Sequence, residues 1–599
     1  MAFALATGRW MTELAGSDLL LQTGFGTVQT AQDHPGWLIA TDAMSQLGSP
    51  PGASPESPRW RVVFDGYLAN GDELAREVRL PAESGKTDPA GLIAALMQDR
   101  GPQALDRLIG NFALAAGHCD DGRVVATRDR MGGRTLHCSG DGQDVVLATR
   151  SAWALRLTRQ SFEPDRAFLI GHFALGTAPP PGRSAFATVA EVMPGERLTL
   201  AGGKVESERQ TLDLTSDFDY RHPGDCIARF RELLEQAVRT TLPPEGPVAC
   251  MLSGGLDSGP MAAIADRELT SAGRRLHVCS WQLPEFPDAD EGEWIRTAAE
   301  GLSEPIDLFD GSALLPFSRT DDSVVSPDLP AFNGFRRLVN ECYRRAAGHG
   351  CRVVLNGNAG DQLYPPLGLL NIDRLKRRRW RPIWNDLLRA WRAGGIRMIL
   401  SDPAFRHPLG RIVRPFRKEG QAPGWMTRAA AREYTAVRPW PPELEKSAFP
   451  DYAWQLVGSR MAFGRAHESE MPNRFGVDRR DPFHDEALLR FMLNAPFGYS
   501  HRNGWDKWIM RQASRGLIPD ALRKKRRTGL LYSFFRAGLR AHRKDIRELL
   551  FEQETDWQRF VQPEIIETIL SEDEHPREVL VTQCVGHALW TRHWSGIGK

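Results

Sequence analysis

The sequence predicts two domains, a strand-rich α+β domain followed by an α/β domain built on a parallel sheet. Three observations carry this. At 599 residues the chain is long enough for two or more cores. Its first two hundred residues read as strands and hairpins with short helices, and from about residue 225 onward strands alternate with helices, the pattern that lays strands parallel. Between them residues 212–224 are polar and turn-rich, so the domains are expected at 1–212 and 225–599.

Composition narrows the function classes. The apolar share of 41% and charged share of 25% are those of a soluble globular protein. A formal net charge of +1 gives the whole molecule no electrostatic attraction to nucleic acid or anionic membrane, so neither is expected as a partner. No apolar run approaches the roughly eighteen residues of a membrane span. The first ten residues lack a basic segment followed by a sustained apolar one, so no secretory signal is expected. The eight cysteines form no Cys-x-x-Cys pair and no zinc-like spacing; they read as reduced thiols of a cytoplasmic protein.

Within the first domain, Arg59-Trp-Arg-Val-Val-Phe-Asp-Gly-Tyr-Leu-Ala-Asn70 is a strand entering a turn. Residues 111–117 and 123–127 flank Asp120-Asp-Gly122 as a hairpin, and 103–109 form a short helix before it. Residues 48–58, rich in Pro and Ser, are a surface loop. In the second domain Asp225 is expected to cap a helix whose apolar face is Ile227, Phe230, Leu234 and Val238.

The chemistry is densest at Val248-Ala-Cys-Met-Leu-Ser-Gly-Gly-Leu-Asp-Ser258: a short buried strand, a small-residue loop, then a helix starting near Gly259. Gly254 and Gly255 permit a tight turn that points N–H groups at an anion, and the Ser253 and Ser258 hydroxyls and the helix N-terminus add to the cradle. Asp257 would repel a bare phosphate, but it fits a shared Mg²⁺, which takes oxygen from both. The loop is not the Gly-Lys-Ser/Thr loop of the P-loop enzymes. It resembles the pyrophosphate cradle of the N-type ATP pyrophosphatases. That resemblance implies ATP and Mg²⁺ as cofactors and Leu252, Ser253, Gly254, Gly255, Asp257 and Ser258 as nucleotide contacts.

Leu276-His-Val-Cys-Ser-Trp281 is the next strand, and residues at its end, Ser280 among them, can border an adenine. Asp290 and Glu291 then open a helix, where capping explains such carboxylates equally well. Arg352-Val-Val-Leu-Asn-Gly-Asn-Ala-Gly-Asp-Gln362 is a buried strand ending in a loop with Gly357, Gly360 and Asp361. Ligands gather beyond the carboxyl ends of parallel strands, so Asp257 and Asp361 are expected to converge on one metal.

Further on, residues 374–418 hold fourteen Lys/Arg and two acids, with Trp380, Trp384 and Trp391 interleaved. They read as a solvated face, a stripe packed on the domain, or a docking surface for a peptide or protein. Asp478 in Gly476-Val-Asp-Arg-Arg-Asp-Pro-Phe-His-Asp485 is either a base for an attacking amine or the partner of Arg480, while Asp485 caps the following helix. Asp506, Lys507 and Arg511 lie on the next helix. In Ile518-Pro-Asp-Ala-Leu-Arg-Lys-Lys-Arg-Arg-Thr-Gly529, Lys524, Lys525 and Arg527 are cations able to answer a developing oxyanion, or a basic surface turn.

Both domains resemble the asparagine-synthetase-like ligases. In the first domain the resemblance rests on Phe64-Asp-Gly-Tyr-Leu-Ala-Asn70, Leu108-Ile-Gly-Asn-Phe-Ala113, Arg128-Asp-Arg-Met-Gly132 and Val189-Ala-Glu-Val-Met-Pro-Gly195. It implies an Ntn-hydrolase-like αββα sandwich, here degenerate, because Ala2 stands where the family's glutaminases carry their nucleophilic Cys. In the second domain the 357–362 loop resembles the family's Gly-x-Gly-x-Asp-Glu, with Gln362 in place of Glu. The 476–485 stretch resembles its Gly-Val-Glu segment, which puts Asp478 where cyclising relatives hold a catalytic Glu. The 518–529 stretch resembles the segment in which a Lys stabilises the adenylation and amide-forming steps, implying Lys525 or Arg527. Within the group, chain length, Gln362 and the Arg/Trp-rich insert point to the lasso-peptide macrolactam synthetases. The implied partners are a precursor (core) peptide, a leader peptidase and leader-recognition proteins. A β-lactam synthetase or a ligase using free ammonia is the alternative; a non-catalytic scaffold would not keep both metal carboxylates.

Overall fold

The computed structural model describes residues 3–8, 10–11, 28–35, 37–42, 46–48, 59–141, 144–175, 180–213, 215–318, 326–401, 405, 422–434, 471–526, 529–553 and 555–597. Ala2, the 49–58 part of the expected loop, Arg527, and residues 402–404 and 406–418 of the basic insert lie outside them.

Two six-stranded sheets build the N-terminal part. One orders Val189–Glu191, His137–Asp141, Asp144–Ala148, Phe3–Thr7, Trp37–Asp42 and Val28–His34; the other orders Lys204–Arg209, Glu196–Ala201, Val124–Arg128, Gly110–His118, Trp60–Leu68 and Gln46–Gly48. The hairpin expected across 120–122 pairs Ala113 with Arg128 and Gly117 with Val124, antiparallel. Side chains alternate across each strand, and that alternation sets the layers. Phe3, Leu5, Trp37 and Ile39 meet Val63, Ala113, Ala115 and Val124 in a dry layer between the sheets. Val62, Phe64, Leu114 and Ala116 point the other way, onto helices Gly71–Glu77 and Pro89–Arg100. Ala4, Ala6, Leu38 and Ala40 face helices Ser151–Leu157 and Arg166–Leu175 on the far side. The order helix, sheet, sheet, helix is the αββα sandwich expected.

The chain's C-terminal helix, Leu580–Ile597, closes that far side. Its Trp590 and Trp594 pack on Phe162, with ring centroids 5.0 and 5.7 Å apart, and Trp594 on Phe186 at 5.1 Å. Aromatic pairs of this kind contribute about 0.5–1.5 kcal/mol each beyond their burial, so the two halves of the chain share a core.

The third sheet has five strands, ordered Asp307–Asp310, Leu276–Gln282, Val248–Met251, Val353–Leu355 and Asp478–Arg480, all parallel. Both faces are covered, which is why 248–251 is apolar at every position. Val248 and Cys250 face helices Pro223–Thr241 and Ser258–Ser271; Ala249 and Met251 face helix Arg336–Gly348. One boundary differs from expectation. The first helix starts at Pro223, with His222 rather than Asp225 at its cap. Proline lacks only an N–H that the first turn leaves unpaired, and its fixed φ suits that position. The interdomain stretch is fastened down: Phe218 and Tyr220 pack on Phe491, whose carbonyl accepts the Tyr220 hydroxyl at 2.9 Å.

Helix Trp380–Ser401 carries the tryptophans of the insert, and Trp380, Trp384 and Trp391 are 65, 62 and 58% exposed, so they are not packed on the domain. None of the eight cysteines forms a disulfide. No helix among the described residues is long and apolar enough to cross a membrane.

Candidate active site

The 252–257 loop leaves the carboxyl end of the central strand and enters helix Ser258–Ser271. Ser258 Oγ fastens it by accepting from Ser253 N at 3.0 Å and donating to Ser253 O at 3.1 Å, with the two hydroxyls 2.9 Å apart. Ser258 is thus committed to the loop's shape, and the exposed Ser253 is left to meet a ligand. The chain bends at both glycines, as expected, but not through a conformation closed to other residues. Neither Gly254 nor Gly255 has a positive φ. A Cβ on Gly254 would stand 2.5 Å from Trp294 Cβ, so glycine is needed there for close approach.

Asp257 and Asp361 do converge. Lys507 Nζ bonds Asp257 Oδ2 at 2.5 Å and also reaches Asp361 Oδ1. Gly360 permits this approach, since a Cβ there would fall 2.6 Å from Asp257 Cγ. Burial pushes the Asp257 carboxyl up from its ordinary value, with Lys507 opposing and Asp361 adding to the rise. The Lys507 ammonium is disfavoured by burial, yet the two carboxylates outweigh that and raise its pKa. Lys507 precedes helix Trp508–Ala513 rather than lying on it, at a left-handed φ of 48°, which a non-glycine residue adopts only when the surroundings hold it there.

The donor set fits Mg²⁺. Asp257 Oδ1 is buried and accepts no hydrogen bond among the described residues, while the Asp361 side chain is 78% exposed, giving a cation a way in. Mg²⁺ commonly takes one or two carboxylates with the rest of its shell from phosphate and water, and no group of three His, Cys, Asp or Glu among the described residues forms an all-protein cage.

A cavity of ≈ 360 Å³ opens over the carboxyl ends of the strands. Leu252, Ser253, Asp257, Ser258, Ser280, Gly357 and Asp361 line it; Gly254, Gly255 and Gly360 do not, acting instead by letting neighbours approach. Beside the strand Leu276–Gln282, Trp281, Leu283 and Ile295 give it an apolar wall suited to an aromatic base, while Arg479 enters from the edge strand Asp478–Arg480, and Tyr343 and Met471 line it as well.

Of the described cations at 524–526, Lys525 is the one brought to the loop. Its buried ammonium donates to Gly254 O and Glu291 Oε1, both at 2.6 Å, and lies 5.1 Å from the Trp294 ring. Lys524 is exposed and pairs with Asp520 at 3.1 Å. The pair that opens the next helix divides its work: Asp290 Oδ1 accepts Leu283 N at 2.7 Å and Gly292 N at 3.2 Å, whereas Glu291 holds Lys525 and Gly529 N.

Asp478 is not among the residues that line the cavity, and of its two readings the structure shows the pairing with Arg480. It opens the edge strand, level with the start of Val353–Leu355, and is 1% exposed. Its oxygens accept Arg134 Nη2 at 2.5 Å and Arg480 Nε at 2.8 Å. Arg134 comes from the N-terminal part, on a loop that Asp129 shapes by accepting the N–H groups of Met131, Gly133 and Arg134. Burial pushes the Asp478 carboxyl up, but Arg134 and Arg480 outweigh it and hold its pKa below the ordinary value. The stability this pairing contributes is therefore present above the usual carboxylate range and lost as pH falls through the lowered value. Asp478→Asn takes from Arg480 its paired carboxylate and leaves Arg134 with the more distant Asp65, 3.7 Å away, so a loss of about 3 kcal/mol is expected at neutral pH. Urea unfolding checks it; a change under about 1 kcal/mol would contradict the pairing.

Trp294 and Arg479 escaped the sequence reading, as did the pairing of Glu291 with Lys525, although Glu291 itself was noted at the helix start. Trp294 and Glu291 act through packing and charge contacts with residues far along the chain, for which no local signal exists. Arg479 had one: in the strand Asp478–Arg480 it must face opposite to its two neighbours.

Residues 229–595 match the family described as asparagine synthase, and residues 39–211 the glutamine amidotransferase domain. Similar proteins include asparagine synthetase [glutamine-hydrolyzing] 3 of Bacillus subtilis, 24% identical over 503 residues, covering 78% of this chain and 75% of that one. Amidase chyE of Penicillium rubens is 26% identical over 332 residues, 51% of this chain and 46% of its own. Asparagine synthetase B [glutamine-hydrolyzing] of Escherichia coli is 21% identical over 355 residues, 55% of this chain and 56% of its own. The chain spans three quarters of the first of these and about half of the other two.

Proposed function

The chain belongs to the asparagine synthase family of ATP-dependent, AMP-forming amide ligases, and from that premise we propose that it closes a macrolactam in a precursor peptide, as the lasso-peptide cyclases do. The observation that favours an amine carried by the substrate is the contact between the two domains. Ammonia made in the N-terminal part would have to cross it. Arg134, Asp478 and Arg480 form a buried ion network at that contact, beside Asn111, whose Oδ1 lies 2.6 Å from His484 Nδ1.

In this reading the 253–258 loop receives the phosphates of ATP, with Mg²⁺ held by Asp257 and Asp361. A side-chain carboxylate of Asp or Glu in the peptide attacks the α-phosphorus, giving an acyl-adenylate and pyrophosphate. The peptide's own α-amine, freed by a leader peptidase, then attacks the acyl carbon and expels AMP. Lys525, beside the loop, adds positive charge where anionic character develops. Carrying amine and acyl group on one folded peptide makes amide formation unimolecular, and excluding water protects the adenylate from hydrolysis. Leader-recognition proteins would deliver the peptide.

The test is mass spectrometry and pyrophosphate assay on three leader-free peptides. The native one should yield a product one water lighter. Acetylating its amine should stop that product while leaving some pyrophosphate release, and replacing the acceptor Asp or Glu by its amide should stop both. An amide formed only from added ammonia or a separate amine would overturn the macrolactam and leave an intermolecular synthetase.

A further inference from the structure

The cavity wall carries four carboxylates, Asp257, Asp290, Glu291 and Asp361, and among the described lining residues a single cation, Arg479. The carboxylates are engaged around the nucleotide loop: Asp257 and Asp361 by Lys507, Glu291 by Lys525, Asp290 by backbone N–H groups. Arg479 comes from the edge strand Asp478–Arg480. Its strand lies three places from the one ending in Ser280 and Trp281, which at strand spacing is about 14 Å. An adenine suits the apolar wall at Trp281 and Leu283, and the triphosphate suits the central loops, so the acid to be activated is left the side where Arg479 enters.

Arg479 is held there from both sides. Asp478 and Arg480 are tied into the domain contact, Arg480 also by donating to Thr241 O at 2.8 Å and lying 5.0 Å over the Tyr67 ring. Asp481 Oδ2 accepts Arg479 Nη2 at 2.8 Å and fixes the guanidinium. Tyr343, Val354, Met471 and Val477 bury the same face of the sheet, and an ion pair in such surroundings is far stronger than in water.

We propose that Arg479 selects the acyl substrate by pairing its guanidinium with the carboxylate about to be adenylated. The planar fork offers five N–H donors and suits a carboxylate bidentately. It also offsets the repulsion that a carboxylate meets on approaching a triphosphate. This rests on the amide-ligase reading, and deepens it by naming a residue that recognises the acid.

The test is equilibrium binding, followed without turnover. The probes are N-acetyl-aspartate methylamide and a nine-residue peptide with one internal Asp, each beside its Asn counterpart. The wild type should prefer at least one Asp probe over its Asn counterpart by about thirty-fold or more. Arg479→Met should erase that preference while ATP affinity stays unchanged, and Arg479→Lys, which keeps the charge and loses the fork, should retain a preference weakened by about tenfold. A preference that persists at full size in either folded variant, or is missing in the wild type for both probes, overturns the proposal. Pyrophosphate release by the wild type is read separately. Its absence alongside an Arg479-dependent preference would sink the ligase reading and leave the recognition residue standing.

Discussion

Asp257→Asn and Asp361→Asn are each expected to lower pyrophosphate formation by about a thousandfold or more, since a metal's charge stabilisation is worth several kcal/mol and each carboxylate supplies half the protein's share of it. The loss should come without unfolding. Burial already disfavours the Asp257 charge, so a neutral amide at 257 removes a cost even as Lys507 loses a partner. Asp361 is mostly exposed, where an ion pair contributes little. Melting curves within a few degrees of wild type, beside a collapse in turnover, would assign the effect to metal binding. Near-native turnover of either variant at ordinary Mg²⁺ concentrations would remove that residue from the metal site.

Lys525→Met carries the second-largest expectation, a fall of about 10²–10³ in kcat, the magnitude lost when one preorganised donor is taken from a developing oxyanion. Here stability should fall too, because among the described residues Glu291 would keep Gly529 N alone as partner for a largely buried carboxylate. The two effects can be separated. Glu291→Gln added to Lys525→Met neutralises the stranded charge and should restore much of the stability while leaving kcat low. Activity that returns with stability would show that Lys525 acts only through folding.

How much of this could be read from the chain follows from what local sequence encodes. The apolar run 248–251, followed by small residues, marked a buried strand and its loop, and the same pattern at 353–355 placed the second carboxylate. Strand and hairpin signals foretold a strand-rich first domain, and its two-sheet sandwich followed from the family resemblance. Contacts between distant residues had no such signal. Arg134 meets Asp478 across 344 positions and Lys507 meets Asp257 across 250, and nothing in either segment states the distance. Hence Asp478, read from its motif as a base or an ion-pair partner, proved to be buried with two guanidinium groups, and Lys507, read as a helical residue, proved to bridge Asp257 and Asp361. The role of Gly254 was hidden for the same reason: the side chain that requires it, Trp294, is forty residues on.

The central claim is that this cavity activates a carboxylate by joining it to AMP. It is tested most directly with a leader-free peptide whose acceptor carboxylate carries ¹⁸O in both oxygens, incubated with the protein, ATP and Mg²⁺. Attack on the α-phosphorus predicts AMP with one ¹⁸O and pyrophosphate with none. Label in inorganic phosphate with ADP as coproduct, or AMP without label, would contradict it.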